Sequence, residues 1–66
     1  EGKAKEMLQG LYRYFVGSPD KLPEEYRRIA GTEDVDRAVC DYISGMSDRY
    51  AVTVYENIFV PRSWGV

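Results

Sequence analysis

The sequence predicts an all-α fold: a small helical hairpin, with a short helix between two long arms and an extended C-terminal tail. Three observations carry this expectation. Apolar residues recur at steps of three and four through two long stretches. No run alternates apolar and polar residues as a half-buried strand would. Proline and glycine divide the chain into three segments, which places helices at about residues 3–16, 23–30 and 33–59.

In the first segment Ala4, Met7, Leu8, Leu11, Tyr12 and Phe15 fall on one helical face. Lys3, Lys5, Glu6, Gln9 and Arg13 fall mostly on the other. Gly17-Ser18-Pro19 stops the helix, because proline cannot continue the hydrogen-bond ladder. After the connector Ser18–Leu22, Pro23 suits a first helical turn, where its missing N–H would be unpaired anyway. Glu24 and Glu25 then meet the positive end of the helix dipole. Tyr26 and Ile29 form the expected buried pair, and Gly31 the expected stop. Thr32 is the expected N-cap of the third helix, followed by Glu33 and Asp34. Val35, Ala38, Val39, Tyr42, Ile43, Met46, Tyr50, Val54 and Ile58 make a sustained apolar stripe. Pro61 ends this helix near Val60, and Arg62–Val66, with Trp64, reads as extended.

Size and composition narrow the function. A chain of 66 residues is at most one small domain. Such a domain buries only about 60% of its unfolded surface, so a partner surface is expected to complete the core. Cys40 is the single cysteine and histidine is absent, which excludes an internal disulfide and argues against a structural zinc site. A net charge of −2 argues against direct nucleic-acid binding. No stretch is apolar enough to span a membrane, and no signal peptide opens the chain. The lack of an initiator methionine points to a natural start farther upstream. No phosphate-binding glycine loop, Ser/His/Asp set or metal-ligand cluster is present.

The run from Val39 to Ala51 is the most distinctive part of the chain. Read as one helix, it puts Asp41, Gly45, Asp48, Val52 and Tyr55 on one stripe. An exposed glycine inside a helix costs about 1 kcal/mol relative to alanine. Gly45 therefore marks either a helix crossing or a ligand approach. Asp41 and Asp48 would stand about 10 Å apart by helical rise, too far to ligate one metal ion directly. A surface pair of Asp41 with Arg37 is the plainer reading for that acid. Tyr42, Tyr50 and Tyr55 read as core or interface tyrosines whose hydroxyls find partners, with base stacking as the sharper alternative. Cys40 reads as a small buried hydrophobe.

Four blocks in order carry a family resemblance. They are Lys3-Ala4 through Leu11-Tyr12-Arg13-Tyr14-Phe15; Pro19 with Leu22-Pro23-Glu24-Glu25-Tyr26; Val39 through Ala51; and Tyr55-Glu56, Phe59 and Pro61-Arg62. The chain resembles the C-terminal, phosphohydrolase-associated region of bacterial deoxyguanosinetriphosphate triphosphohydrolase-like proteins, in the His-Asp (HD) superfamily. Ser44 and Ser47 stand where alanine and threonine are expected, both mild departures.

The resemblance implies a cytoplasmic parent enzyme that hydrolyses a deoxynucleoside triphosphate (dNTP) to deoxynucleoside and triphosphate. It implies a divalent metal held by an upstream HD catalytic domain, and a homo-oligomeric assembly. No catalytic residue and no metal ligand transfer to this chain, which alone is expected to be inactive. Asp41, Tyr42, Gly45, Asp48 and Arg49 transfer as a pattern, as candidates for substrate binding or for the interface with the catalytic domain or a neighbouring subunit. The principal rival is a freestanding helical interaction or dimerisation module without catalysis. A weaker rival is a nucleic-acid accessory domain, which the acidity does not favour.

Overall fold

The computed structural model describes residues 4–60. The described residues form α1 (Lys5–Gly17), a 3-10 turn (Pro19–Lys21), α2 (Glu24–Thr32), α3 (Val35–Ser44) and α4 (Asp48–Phe59), with no strand. The all-α expectation holds. Lys3 and the predicted extended tail, including Trp64, lie outside the described residues.

Each boundary has a local cause. The Ser18 N–H donates to the Tyr14 carbonyl at 3.0 Å and closes α1, and Pro19 starts the following turn. The Pro23 carbonyl accepts from the Tyr26 and Arg27 N–H groups at 2.9 and 3.0 Å, so Pro23 is the N-cap of α2 and Glu24 its first residue. Gly31 and Thr32 remain helical rather than ending α2 and capping the next helix. Thr32 turns its hydroxyl back to the Arg28 carbonyl at 3.0 Å, which occupies the group that a cap would use. The cap of α3 is Asp34, whose Oδ1 accepts from the Asp36 N–H at 3.0 Å.

The predicted third helix is two helices. α3 ends at Ser44, and Gly45 is its C-cap, with φ −85° and ψ −4°. The Gly45 N–H still reaches the Asp41 carbonyl at 3.2 Å, while Met46 bonds to Ile43 at 3.1 Å. Ser47 then opens α4 by accepting the Tyr50 N–H on its Oγ at 3.1 Å. A serine followed by an aspartate is a strong helix-start signal, and it prevails over the continuous apolar spacing. Val54 and Ile58 pack against the core as the stripe predicts, and Tyr50 is the position that departs from it. Met46 is buried, but on α4 the buried position is Ala51, and Tyr50 is 48% exposed.

The core consists of Leu11, Phe15, Leu22, Ala38, Val39, Ile43, Met46 and Ala51. α3 packs on both α1 and α2, whereas α4 packs chiefly on α1. Tyr26 and Ile29 are partly buried against this cluster. The whole is a slab, 39 × 30 × 16 Å. A helix with its side chains is about 10–12 Å across, so a slab this thin cannot enclose its apolar residues on every side. Tyr12, Val16, Tyr50, Val52, Phe59 and Val60 all remain more than a third exposed.

The glycine at a helix crossing is Gly10, not Gly45. A Cβ at Gly10 would stand 3.1 Å from Tyr55 Cε1 and 3.7 Å from Phe59 Cε2, so the missing side chain admits α4 against α1. At Gly45 a Cβ would meet only the preceding turn, 3.5 Å from the Asp41 carbonyl oxygen. Gly10→Leu is therefore expected to force Tyr55 out and cost about 1–3 kcal/mol by overpacking. Gly45→Ala, at a negative φ, should change stability by less than about 0.5 kcal/mol. Denaturant unfolding of the two variants tests the contrast. Equal effects would show that α4 does not lean on Gly10.

Candidate functional site

The five residues singled out by the resemblance straddle the break between α3 and α4. Tyr42 projects from the last turns of α3 into an aromatic cluster. Its ring meets Phe15 edge-on at 5.3 Å and Tyr26 at 5.0 Å, centroid to centroid. Its hydroxyl shares a 3.3 Å hydrogen bond with the hydroxyl of Tyr50 on α4. Tyr42 is thus the one candidate that ties α1, α2, α3 and α4 together.

The other four do not converge. Asp41 is exposed and pairs with Arg37, Nε to Oδ2, at 3.5 Å. Arg37 also reaches Glu33 at 3.8 Å. These are solvated helix pairs, worth a few tenths of a kcal/mol. Gly45 is exposed at the end of α3. Asp48 and Arg49 are exposed in the first turn of α4, where the Asp48 carboxylate complements the helix dipole. The single stripe predicted through Asp41, Gly45 and Asp48 does not exist, because the helix ends between the two acids. No hydrogen bond or ion pair joins the side chains of Asp41, Asp48 and Arg49 among the described residues. Nor do the described residues contain a group of three or more histidines, cysteines or acids able to hold a metal ion.

A second feature lies on the opposite side of α3. Leu8, Tyr12 and Arg13 of α1 face Cys40, Ile43 and Ser44 of α3 across an open groove of about 780 Å³. Cys40 is exposed here, against the expectation of a buried hydrophobe. It sits one position beyond the buried Val39, on the side of α3 that α1 leaves open. The Tyr12 hydroxyl donates to Asp36 Oδ1 and bridges the two helices beside the groove. Sequence spacing exposed neither the groove nor this bond, since both depend on how α1 crosses α3.

The electrostatics favour neutral groups. Burial, and then the bond to Tyr50, push the Tyr42 phenol well above its usual range. The bond to Asp36 raises Tyr12. Partial burial raises the Cys40 thiol, and Asp36, Asp41 and Asp34 add to the shift, which disfavours the reactive thiolate. These groups offer contact area and hydrogen bonds rather than nucleophilic or acid–base chemistry.

The sequence matches the family model of the phosphohydrolase-associated domain over residues 1–57. It is similar to a deoxyguanosinetriphosphate triphosphohydrolase-like protein of Caldanaerobacter subterraneus subsp. tengcongensis, at 45% identity over 97% of this chain and 19% of that protein. Proteins of the same name from Clostridium tetani and Bordetella pertussis are each 42% identical, over 91% and 86% of the chain and 17% and 15% of their own lengths. The chain thus spans less than a fifth of these relatives. No solved structure matches it.

The tyrosine cluster has a pH signature. A phenol raised in the folded state binds its proton more tightly there than in the unfolded chain. Its stabilising effect is complete below the unfolded value of about 10 and is lost as pH rises through the folded value. Thermal melts should therefore show falling stability above about pH 10, with a shallower fall in Tyr42→Phe. Phenolate absorbance of the native chain should also lag behind that of the urea-unfolded chain as pH rises. Coincident titrations would contradict the raised Tyr42 phenol.

Proposed function

The chain belongs to the phosphohydrolase-associated domain family, and from that premise we propose that it is a helical buttress of a dNTP triphosphohydrolase. The parent enzyme hydrolyses a dNTP to deoxynucleoside and triphosphate, and this segment supports its HD catalytic domain or a subunit interface. The observation that carries the reading is one of coverage. Nearly all of this chain aligns with a small part of proteins whose name states a triphosphohydrolase-like character. The exposed apolar residues on a thin slab support a role completed by contact with more protein.

The divalent metal implied for the parent does not fit the residues described here. They hold no cluster of three or more donors, so no step of the reaction is assigned to them. The work of this segment is mechanical: the α1–α3 seam and the Tyr42 cluster hold a rigid surface in place. A neighbouring catalytic site benefits because small displacements of catalytic groups are costly in rate. In this reading the parent is a cytoplasmic homo-oligomer. No helix of the described residues is long and apolar enough to cross a membrane.

The test is made in the full-length parent. Deleting the stretch equivalent to residues 4–60 should slow metal-dependent release of triphosphate from dGTP by at least about tenfold. The truncated protein should also lose stability or assembly. Full activity after deletion would overturn the reading. For the residues around the helix break, Asp48→Ala and Arg49→Ala are expected to weaken rate or assembly while leaving the helical content unchanged. If rate, assembly and melting all stay at the wild-type level, Asp48 and Arg49 are solvent-facing surface with no part in the buttress.

A further inference from the structure

α4 follows α3 after the short joint Gly45–Ser47, yet it packs chiefly on α1. Its seat there is specific. The Gly10 notch receives Tyr55 with Phe59 beside it, and Tyr14 meets Phe59 edge-on at 6.1 Å. None of these contacts requires α1 and α4 to belong to the same molecule. The α4 of a second copy fits the same notch with the same partners, provided that its own α3 holds it clear of its own α1.

The joint lies close to a continuous helix. Gly45 has φ −85° and ψ −4°, in the right-handed helical region, and its N–H already bonds the Asp41 carbonyl at 3.2 Å in the i to i−4 pattern. Ser47, at φ −74° and ψ 165°, departs from helical geometry in ψ alone. Two bonds hold the bend: the Tyr50 N–H donates to Ser47 Oγ at 3.1 Å, and the Tyr42 and Tyr50 hydroxyls share a bond at 3.3 Å. Both are exposed, where water competes for the same groups. Straightening replaces the cap with ladder bonds. It also brings Tyr50, 48% exposed in the bent form, onto the apolar stripe of Ile43 and Met46. The bent and straight forms are therefore closely balanced.

We propose that two copies of this chain exchange α4. The joint closes into one helix from Val35 to Phe59, and its α4 half seats against Gly10 and Tyr14 of the other copy. Such a swap is a low-cost route to a dimer, because the contacts exchanged are those the single chain already makes. The Tyr42–Tyr50 bond belongs to the bent form alone, since eight residues of straight helix set the two positions about 12 Å apart. The inference depends only on contacts within this chain, so it and the buttress reading stand or fall separately.

The experiment sizes three forms of the 66-residue chain by sedimentation equilibrium over a range of concentrations, with circular dichroism for helical content. The wild-type chain should pass from monomer to dimer as concentration rises. The double variant Gly45→Ala, Ser47→Ala removes the glycine penalty and the cap at both joints of the dimer. Its dissociation constant should fall by at least about a hundredfold. Asp48→Pro fixes the bend instead. Position 48 is the first residue of α4, where proline is favoured, and Ser47 before it is already extended. In a straight helix the same proline breaks the ladder and clashes with the turn before it. This variant should keep its helical content and remain monomeric.

Exchange itself is read by mixing Tyr14→Cys chains with Phe59→Cys chains, each also carrying Cys40→Ser, and oxidising the mixture. Disulfides between unlike chains should exceed those between like chains, because positions 14 and 59 meet across the α1–α4 contact. This readout keeps the wild-type joint, so it decides the matter even if the double variant unfolds. A folded double variant that stays monomeric at every concentration would overturn the inference. So would an Asp48→Pro chain that dimerises as strongly as the wild type, which would mean side-by-side association without exchange. Disulfides formed at random between like and unlike chains would overturn it as well.

Discussion

The seam between α1 and α3 is the contact on which the rest of the structure depends. Leu11 and Phe15 from α1 are buried with Ala38, Val39 and Ile43 from α3. α2 contributes no buried residue of its own, and α4 contributes only Ala51. Both are therefore held by surfaces that the seam has already ordered. In so small a core each side chain matters: truncating a leucine such as Leu11 to alanine would cost about 2–5 kcal/mol, a large part of the stability of a domain this size.

The aromatic residues extend that seam outward. Tyr42 meets Phe15 and Tyr26 on one side and Tyr50 on the other, so one side chain joins the core to the first turn of α4. A second set, with Tyr14 edge-on to Phe59 and Phe59 beside Tyr55, fastens the far end of α4 to α1. Between these two attachments α4 has little burial of its own. Its outward apolar residue Val52 is available to other protein. This arrangement agrees with a part whose surfaces are shaped for neighbours, as the proposed buttress requires.

Much of this was legible in residue spacing, and the failures have identifiable causes. The faces of α1 and α3 follow from their apolar periodicity, and Leu11, Phe15, Ala38, Val39 and Ile43 are buried as that periodicity requires. The break at Gly45–Ser47 was masked by an apolar spacing that runs through it, although Ser47-Asp48 is itself a start signal. Thr32 and Asp34 are both plausible caps, and only the back-bonded hydroxyl of Thr32 decides between them. Cys40, Gly10 and the groove depend on crossing geometry, which one-dimensional spacing does not encode. Of the five candidate site residues, spacing located Tyr42 as an interior tyrosine with a bonded hydroxyl. It placed Asp41 and Asp48 on a common stripe that the helix break abolishes.

The notch at Gly10 carries an evolutionary consequence. With 3.1 Å between the Tyr55 ring and the point where a methyl group would stand, positions 10 and 55 share one fixed volume. A lineage that acquires a side chain at 10 needs the Tyr55 ring to give way, by a few tenths of an ångström for a methyl group and by more for a larger one. Those two sites should therefore change in step when many sequences of this kind are compared, even though 45 residues of chain separate them.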